Sequence, residues 1–132
     1  MKIAVAARGK TLEDLVPGAF EESPYLLIVE TDDGSYEAFQ NPEKGEGAGL
    51  GMTREIIGRD CEAVICGSIE KPAYQELMIA QVTRYLAAGC SAAEALRLME
   101  ANRLDFIRVP KGEVWDPDSH DHDPSRCGDH DD

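Results

Sequence analysis

The first 119 residues contain no histidine; His120, His122 and His130 all lie near the end of the chain. That absence removes Ser-His and Cys-His dyads from the body of the protein, so nucleophilic catalysis has no imidazole base there. The four cysteines, Cys61, Cys66, Cys90 and Cys127, show no Cys-x-x-Cys spacing, and this argues against disulfides. No apolar run approaches a membrane span: Ile3–Ala7 and Leu26–Val29 are only a few residues each. The first of these stops at Arg8-Gly9-Lys10, short of a secretory core, so a cytoplasmic location is expected. Basic residues are scarce as well. Thirteen Lys and Arg stand against 26 Asp and Glu, for a net charge of −13. Such a chain repels phosphate backbones and anionic lipid, which excludes nucleic acid and membrane surfaces as expected partners.

What is present is enough for one core. The chain has 132 residues, 42% of them hydrophobic and 30% charged, a balance typical of a single globular domain. The charge is uneven: residues 113–132 hold eight acidic residues and one basic, Arg126. Beyond Pro110 the chain is polar and rich in Asp, with one aromatic, Trp115, and residues 113–132 read as a disordered acidic tail behind a domain of residues 1–112.

Within 1–112 the pattern predicts a strand at Lys2–Ala7, buried on both faces, and a loop with a short turn near Leu12–Val16. A hairpin follows, Pro24–Thr31 and Ser35–Gln40, joined at Asp33-Gly34. From Gly45 onward helices alternate with strands. A helix carries Met52, Ile56 and Ile57 and stops at Gly58–Asp60; Ala63–Cys66 is a buried strand. Pro72 opens a helix running to about Ala80, and Val82–Leu86 is a strand. Ser91-Ala-Ala-Glu94 forms a capping box before a helix burying Ala92, Ala95, Leu96 and Met99, and a short strand at Phe106–Val109 edges the sheet. The expected body is α/β, antiparallel in its first half and parallel in its second.

Several groups could carry chemistry. Gly45, Gly47, Gly49 and Gly51 precede a helix, where bare amides and the helix dipole suit an anion; the alternative is a plain link between two half-folds. Cys66, followed by Gly67-Ser68, ends a strand at the sheet edge where ligands approach open α/β sheets, and is either a soft metal ligand or a small core residue. Arg8 leaves the first strand at the same edge, as an anion partner or a solvated charge. His120, His122, Cys127 and His130 offer nitrogen and sulfur donors for loosely bound zinc, nickel or copper, on a tail that otherwise only solubilises. The pairs Glu21-Glu22 and Asp32-Asp33 fall in loops and read as solvated charge, which ranks a two-magnesium hydrolase last.

The order Met1-Lys-Ile-Ala-Val-Ala, Pro24-Tyr-Leu-Leu-Ile-Val-Glu, Asn41-Pro42, Gly47-Ala-Gly-Leu-Gly51, Ala63-Val-Ile-Cys-Gly67 and Ala73-Tyr-Gln-Glu-Leu77 resembles the dinitrogenase iron–molybdenum cofactor biosynthesis family. That family includes NifX-like and NafY-like carriers and the C-terminal domain of NifB-like proteins. The resemblance implies a ribonuclease-H-like fold with a mixed five-stranded sheet and helices on both faces. It implies a non-enzymatic carrier of an iron–sulfur-based metallocluster, with or without molybdenum, exchanging cargo with donor or acceptor proteins. Arg8, Gly47, Gly49, Gly51, Cys66 and Ser68 are the candidate cargo contacts. Where members commonly read Arg-Phe-Gly-Arg this chain has Ala19-Phe20-Glu21-Glu22, and the body histidine of the cofactor carriers is absent. The alternative function is an interaction module whose acidic tail engages a basic partner without a cofactor.

Overall fold

The computed structural model of the protein describes residues 1–42 and 48–112. In chain order these form β1 (Lys2–Ala7), a 3-10 turn (Phe20–Glu22), β2 (Tyr25–Glu30), β3 (Tyr36–Gln40), α1 (Ala48–Gly58) and β4 (Ala63–Cys66). Next come α2 (Lys71–Ile79), β5 (Thr83–Leu86), α3 (Ala92–Glu100) and β6 (Asp105–Phe106). The strands make one sheet in the order β3-β2-β1-β4-β5-β6. β1 is antiparallel to β2 and parallel to β4, β4 is parallel to β5, and β2–β3 and β5–β6 are antiparallel. The antiparallel first half and parallel second half match the sequence pattern. The resemblance implies five strands and the sheet has six, because Asp105–Phe106 adds a two-residue edge on which the Phe106 ring meets that of Tyr85 at 5.2 Å.

β1 shows why its apolar run is continuous. Ala4 and Ala6 face a core layer shared with Met52, Ile56, Ala73 and Leu77 of α1 and α2. Ile3, Val5 and Ala7 face the other layer, which contains Ala92, Ala95 and Met99 of α3. Both faces are therefore covered by helix, and the strand alternates small against large residues instead of apolar against polar. β3 is different. It is an edge strand, exposed along most of its length, and Glu37 meets Arg59, just past the end of α1, at 2.6 Å, a charge of the kind that blunts an open edge.

All three helices stop by the same device. After α2, Val82 N–H donates to Leu77 C=O at 2.9 Å and Gln81 N–H to Met78 C=O at 3.0 Å, the paired bonds of a Schellman motif. Cys61 and Asp60 repeat this after α1, Arg103 and Asn102 after α3. The motif requires one left-handed residue, and Asp60, Gln81 and Asn102 have φ of 58°, 64° and 60°. Asp and Asn tolerate that region, whereas Gln gains nothing there. Gln81→Gly is expected to stabilise the fold by about 0.5–1 kcal/mol after the entropy Gly adds to the unfolded chain. Urea unfolding would register this as a raised midpoint at unchanged slope.

The N-terminus of α3 follows the capping box in part. Ser91 Oγ accepts from Glu94 N–H at 3.1 Å, but the Glu94 carboxylate pairs with Arg97 on the next turn.

Candidate functional site

The parallel strands end at Ala7, Cys66 and Leu86, and the β1–β2 connection crosses that edge as a strap. Its near end is a tight turn in which Asp14 Oδ2 accepts from Thr11 N–H at 3.0 Å and Thr11 Oγ1 at 2.9 Å. Arg8 N–H donates to Leu15 C=O, Val16 N–H to Cys90 C=O and Gly89 N–H to Val16 C=O. On the other side Ser68 N–H and Oγ both donate to Gly18 C=O, at 2.9 and 3.2 Å, and Phe20 N–H donates to Ser68 C=O at 2.8 Å. Gly67 makes this approach possible. A Cβ there would lie 2.5 Å from the Pro17 carbonyl oxygen and closer still to that of Gly18.

The strap then turns through Phe20–Glu22 and puts the Glu21 carboxylate where α1 and α2 begin. Glu21 Oε2 accepts from Glu70 N–H at 2.9 Å. Glu70 is the N-cap of α2 and makes no side-chain capping bond of its own, so Glu21 satisfies a free helix-start amide from outside the helix. Beside it is Gly49, in the first turn of α1; a Cβ on Gly49 would stand 2.8 Å from Glu21 Cγ and 3.0 Å from Oε2. Glu21 Oε1 is buried with no hydrogen-bond partner among the described residues, an arrangement that costs on the order of 1–3 kcal/mol. Burial pushes the Glu21 carboxyl above the usual carboxylate range, against the bond from Glu70 N–H and the Lys111 charge, which pull it down.

Glu21 is the residue the sequence pattern misses. Glu21-Glu22 reads as solvated charge, and Glu22 is exposed, but Glu21 is tucked against two helix starts. Its adjacency to Phe20, which is 0% exposed, is the available signal: a charged residue next to a buried aromatic in a turn is carried inward with it.

The residues singled out in the sequence are distributed around this strap. Ser68 holds it directly. Gly49 and Gly51 lie inside α1 and not in a loop before it; Gly49 is buried against Glu21, and Gly51 is half-buried. Arg8 is exposed at the strap's near end. Cys66 does stand at the carboxyl end of β4, but its side chain is 0% exposed within the layer containing Phe20, Met52 and Ala73. Burial and the nearby Glu21 raise its pKa far above the ordinary thiol value, so it stays protonated. Cys61 is a second free thiol, pushed up to about 11 chiefly by burial. Cys90 is disulfide-bonded, a correction to the expectation of unpaired cysteines. Gly47, His120, His122, Cys127, His130 and the acidic segment 113–132 lie outside the described residues.

A thiolate-ligated cluster needs an open, deprotonated sulfur. Cys66, sealed and protonated, does not supply one in this arrangement. A main-chain donor of the kind that meets anions is present at the start of α2, where Glu70 N–H bonds the Glu21 carboxylate. Among the described residues no three His, Cys, Asp or Glu side chains come together to hold a metal ion, and no helix is long and apolar enough to cross a membrane.

Fold and site thus define a mixed α/β domain in which the Glu21 carboxylate bonds the first amide of α2, beside the strapped carboxyl ends of the parallel strands. The family model for dinitrogenase iron-molybdenum cofactor proteins matches residues 1–102, and the chain belongs to that family. Among solved structures it is similar to the apo form of the orange protein from Desulfovibrio gigas, at TM-score 0.77 and 20% identity over 83% of this chain and 95% of that one. A candidate NifB protein from Thermotoga matches at 0.73 and 24%, over 84% and 98%. A candidate dinitrogenase from Methanocaldococcus jannaschii matches at 0.64 and 23%, over 83% and 97%. These likenesses concern the fold. No curated protein matches the sequence.

Proposed function

We propose that this protein is a non-enzymatic carrier of an anionic metal–sulfur unit related to the iron–molybdenum cofactor, taken from a donor protein and passed to an acceptor. Family membership supplies the cargo class. The observation that supports the reading is the Glu70 N–H at the start of α2, a main-chain donor that bonds the Glu21 carboxylate at 2.9 Å and is of the kind an anion uses at a helix start. The cargo would rest against main-chain N–H groups at the starts of α1 and α2, with Ser68 beside it and Arg8 offsetting charge at the strap's near end.

The last described residues also arrive here: Lys111 N–H donates to Ile69 C=O at 2.6 Å. In this reading His120, His122 and His130, which lie outside the described residues, bind stray divalent metal loosely, or assist handover.

The test is anaerobic reconstitution of the full-length protein with ferrous iron, sulfide and molybdate, followed by elemental analysis and visible absorption. We expect a retained chromophore, several-fold less in Arg8→Ala, and little change when His120, His122 and His130 are all replaced by Ala. Wild-type protein that stays colourless and metal-free overturns the carrier reading. The buried, protonated Cys66 favours one second reading, an interaction module that engages a basic partner through residues 113–132.

A further inference from the structure

We infer that Cys90 and Cys127 form a reversible disulfide, and that this bond withdraws the sulfur donor of residues 113–132 from metal. The inference rests on the loose metal binding proposed for His120, His122 and His130, and adds to it the switch that sets its strength.

The pairing follows by elimination. The chain has four cysteines. Cys61 and Cys66 are free thiols, and Cys90 is disulfide-bonded. Within one chain Cys127 is what remains to supply the second sulfur. It lies outside the described residues, fifteen positions beyond Gly112. An extended chain of that length reaches up to about 50 Å, against a radius of gyration of about 13 Å for a domain of roughly 100 residues. The connection is long enough to return to any point of the body.

The body fixes its own half of the bond. Cys90 is 3% exposed and belongs to the layer that contains Val16, Ala92 and Met99. Its C=O accepts from Val16 N–H at 2.7 Å, and two residues on Ala92 N–H donates to Asp14 C=O at 2.9 Å. Cys90 therefore stands where the strap is tied to the start of α3.

The chemistry is a thiol–disulfide exchange. The Cys127 thiolate attacks a small disulfide of the glutathione class and releases one thiol; the Cys90 thiolate then attacks the Cys127 sulfur of the mixed disulfide and releases the second. One protein S–S bond forms, and the two protons and two electrons leave on the small disulfide, which becomes two thiols. Excess small thiol runs the steps backward. The mixed disulfide forms on Cys127 because Cys90 is buried.

Metal affinity follows the sulfur. His120, His122, Cys127 and His130 fall within eleven residues, and a thiolate with three imidazoles holds zinc better than the imidazoles alone. Cys61 and Cys66 do not replace the lost donor, since burial keeps both protonated.

The test compares full-length protein oxidised with glutathione disulfide against protein reduced with a phosphine and desalted anaerobically. Thiol alkylation in denaturant followed by non-reducing peptide mapping reads the pairing. Zinc titration against a chromophoric chelator at pH 7.5 reads the affinity. We expect a Cys90–Cys127 cross-linked peptide beside alkylated Cys61 and Cys66 in the oxidised form, and a zinc Kd at least tenfold lower in the reduced form. Cys90→Ser should bind zinc as tightly as reduced wild type with no reductant added, and Cys127→Ser as weakly as the oxidised protein in either state. Cys90→Ser alters a buried position, so Cys127→Ser supplies the comparison if the first variant folds poorly. Alkylated Cys90 in the oxidised protein, or a Cys90–Cys90 link between two copies, overturns the pairing. Equal zinc affinity in the two forms overturns the switch. Zinc binding by neither form overturns the metal reading of the histidines and the switch with it, and leaves the carrier reading of the body intact.

Discussion

Gly67→Ala is expected to destabilise the protein by about 3 kcal/mol or more, although it adds a single methyl group. The methyl would be driven into the Pro17 and Gly18 carbonyl groups. These are main-chain atoms, which cannot swing aside as a long side chain can. Relief requires the strap to move away from β4, which breaks the bonds from Ser68 to Gly18 and from Phe20 to Ser68. Against a total of roughly 5–15 kcal/mol for a domain of this kind, that is a large fraction. Urea unfolding of the variant, beside Gly58→Ala as a control, makes the comparison sharp. Nothing lies within 4 Å of a Cβ at Gly58, and Ala favours a helix by up to about 1 kcal/mol, so the control should be neutral or stabilising. If the two variants unfold at the same midpoint, the strap is not packed against Gly67 as described.

The strap also explains the boundary between what the sequence reveals and what it conceals. The first three strands follow from local pattern, β1 from an unbroken apolar run, β2 and β3 from a hairpin turn at Asp33-Gly34, whereas the edge strand expected at Phe106–Val109 is only Asp105–Phe106. The turn shows φ of +78° at Gly34, with Asp33 Oδ1 accepting from Ser35 N–H at 2.9 Å. The helices follow from Pro72, Ser91 and the 3.6-residue spacing. Those signals live within a few residues of one another.

Residues 8–24 carry no periodic signal, because their structure is decided by main-chain bonds to Ser68, Gly89 and Cys90, about 50 to 75 residues away. No side-chain pattern records a backbone bond at that distance. For the same reason the sheet edge that ends at Cys66 looks open in the sequence and is covered in the fold. The site is legible in part: Ser68 and Gly49 sit at the strap, whereas the Glu21 carboxylate had no local feature to separate it from Glu22 except the hydrophobic neighbour on its other side.

Phe20→Ala is the second substitution with a large expected effect, about 3–5 kcal/mol. Phe20 heads the set of largest fully buried side chains and belongs to the layer that contains Met52, Ile69 and Ala73. Removing the ring leaves a cavity next to Cys66 and unpins the turn that carries Glu21. The consequence should reach the site as well as the core. Glu70 N–H, which Glu21 protects by 2.9 Å hydrogen bonding, should exchange with solvent faster in Phe20→Leu, a milder change that keeps most of the apolar volume. Phe20 and Gly67 hold the same strap from opposite sides, one by filling a core position and the other by leaving space for a carbonyl. Once either has released it, the other has less to hold. The Phe20→Leu/Gly67→Ala double variant should therefore be less destabilised than the two single losses combined, by on the order of 1 kcal/mol. Strict additivity would mean that the two ends of the strap move independently.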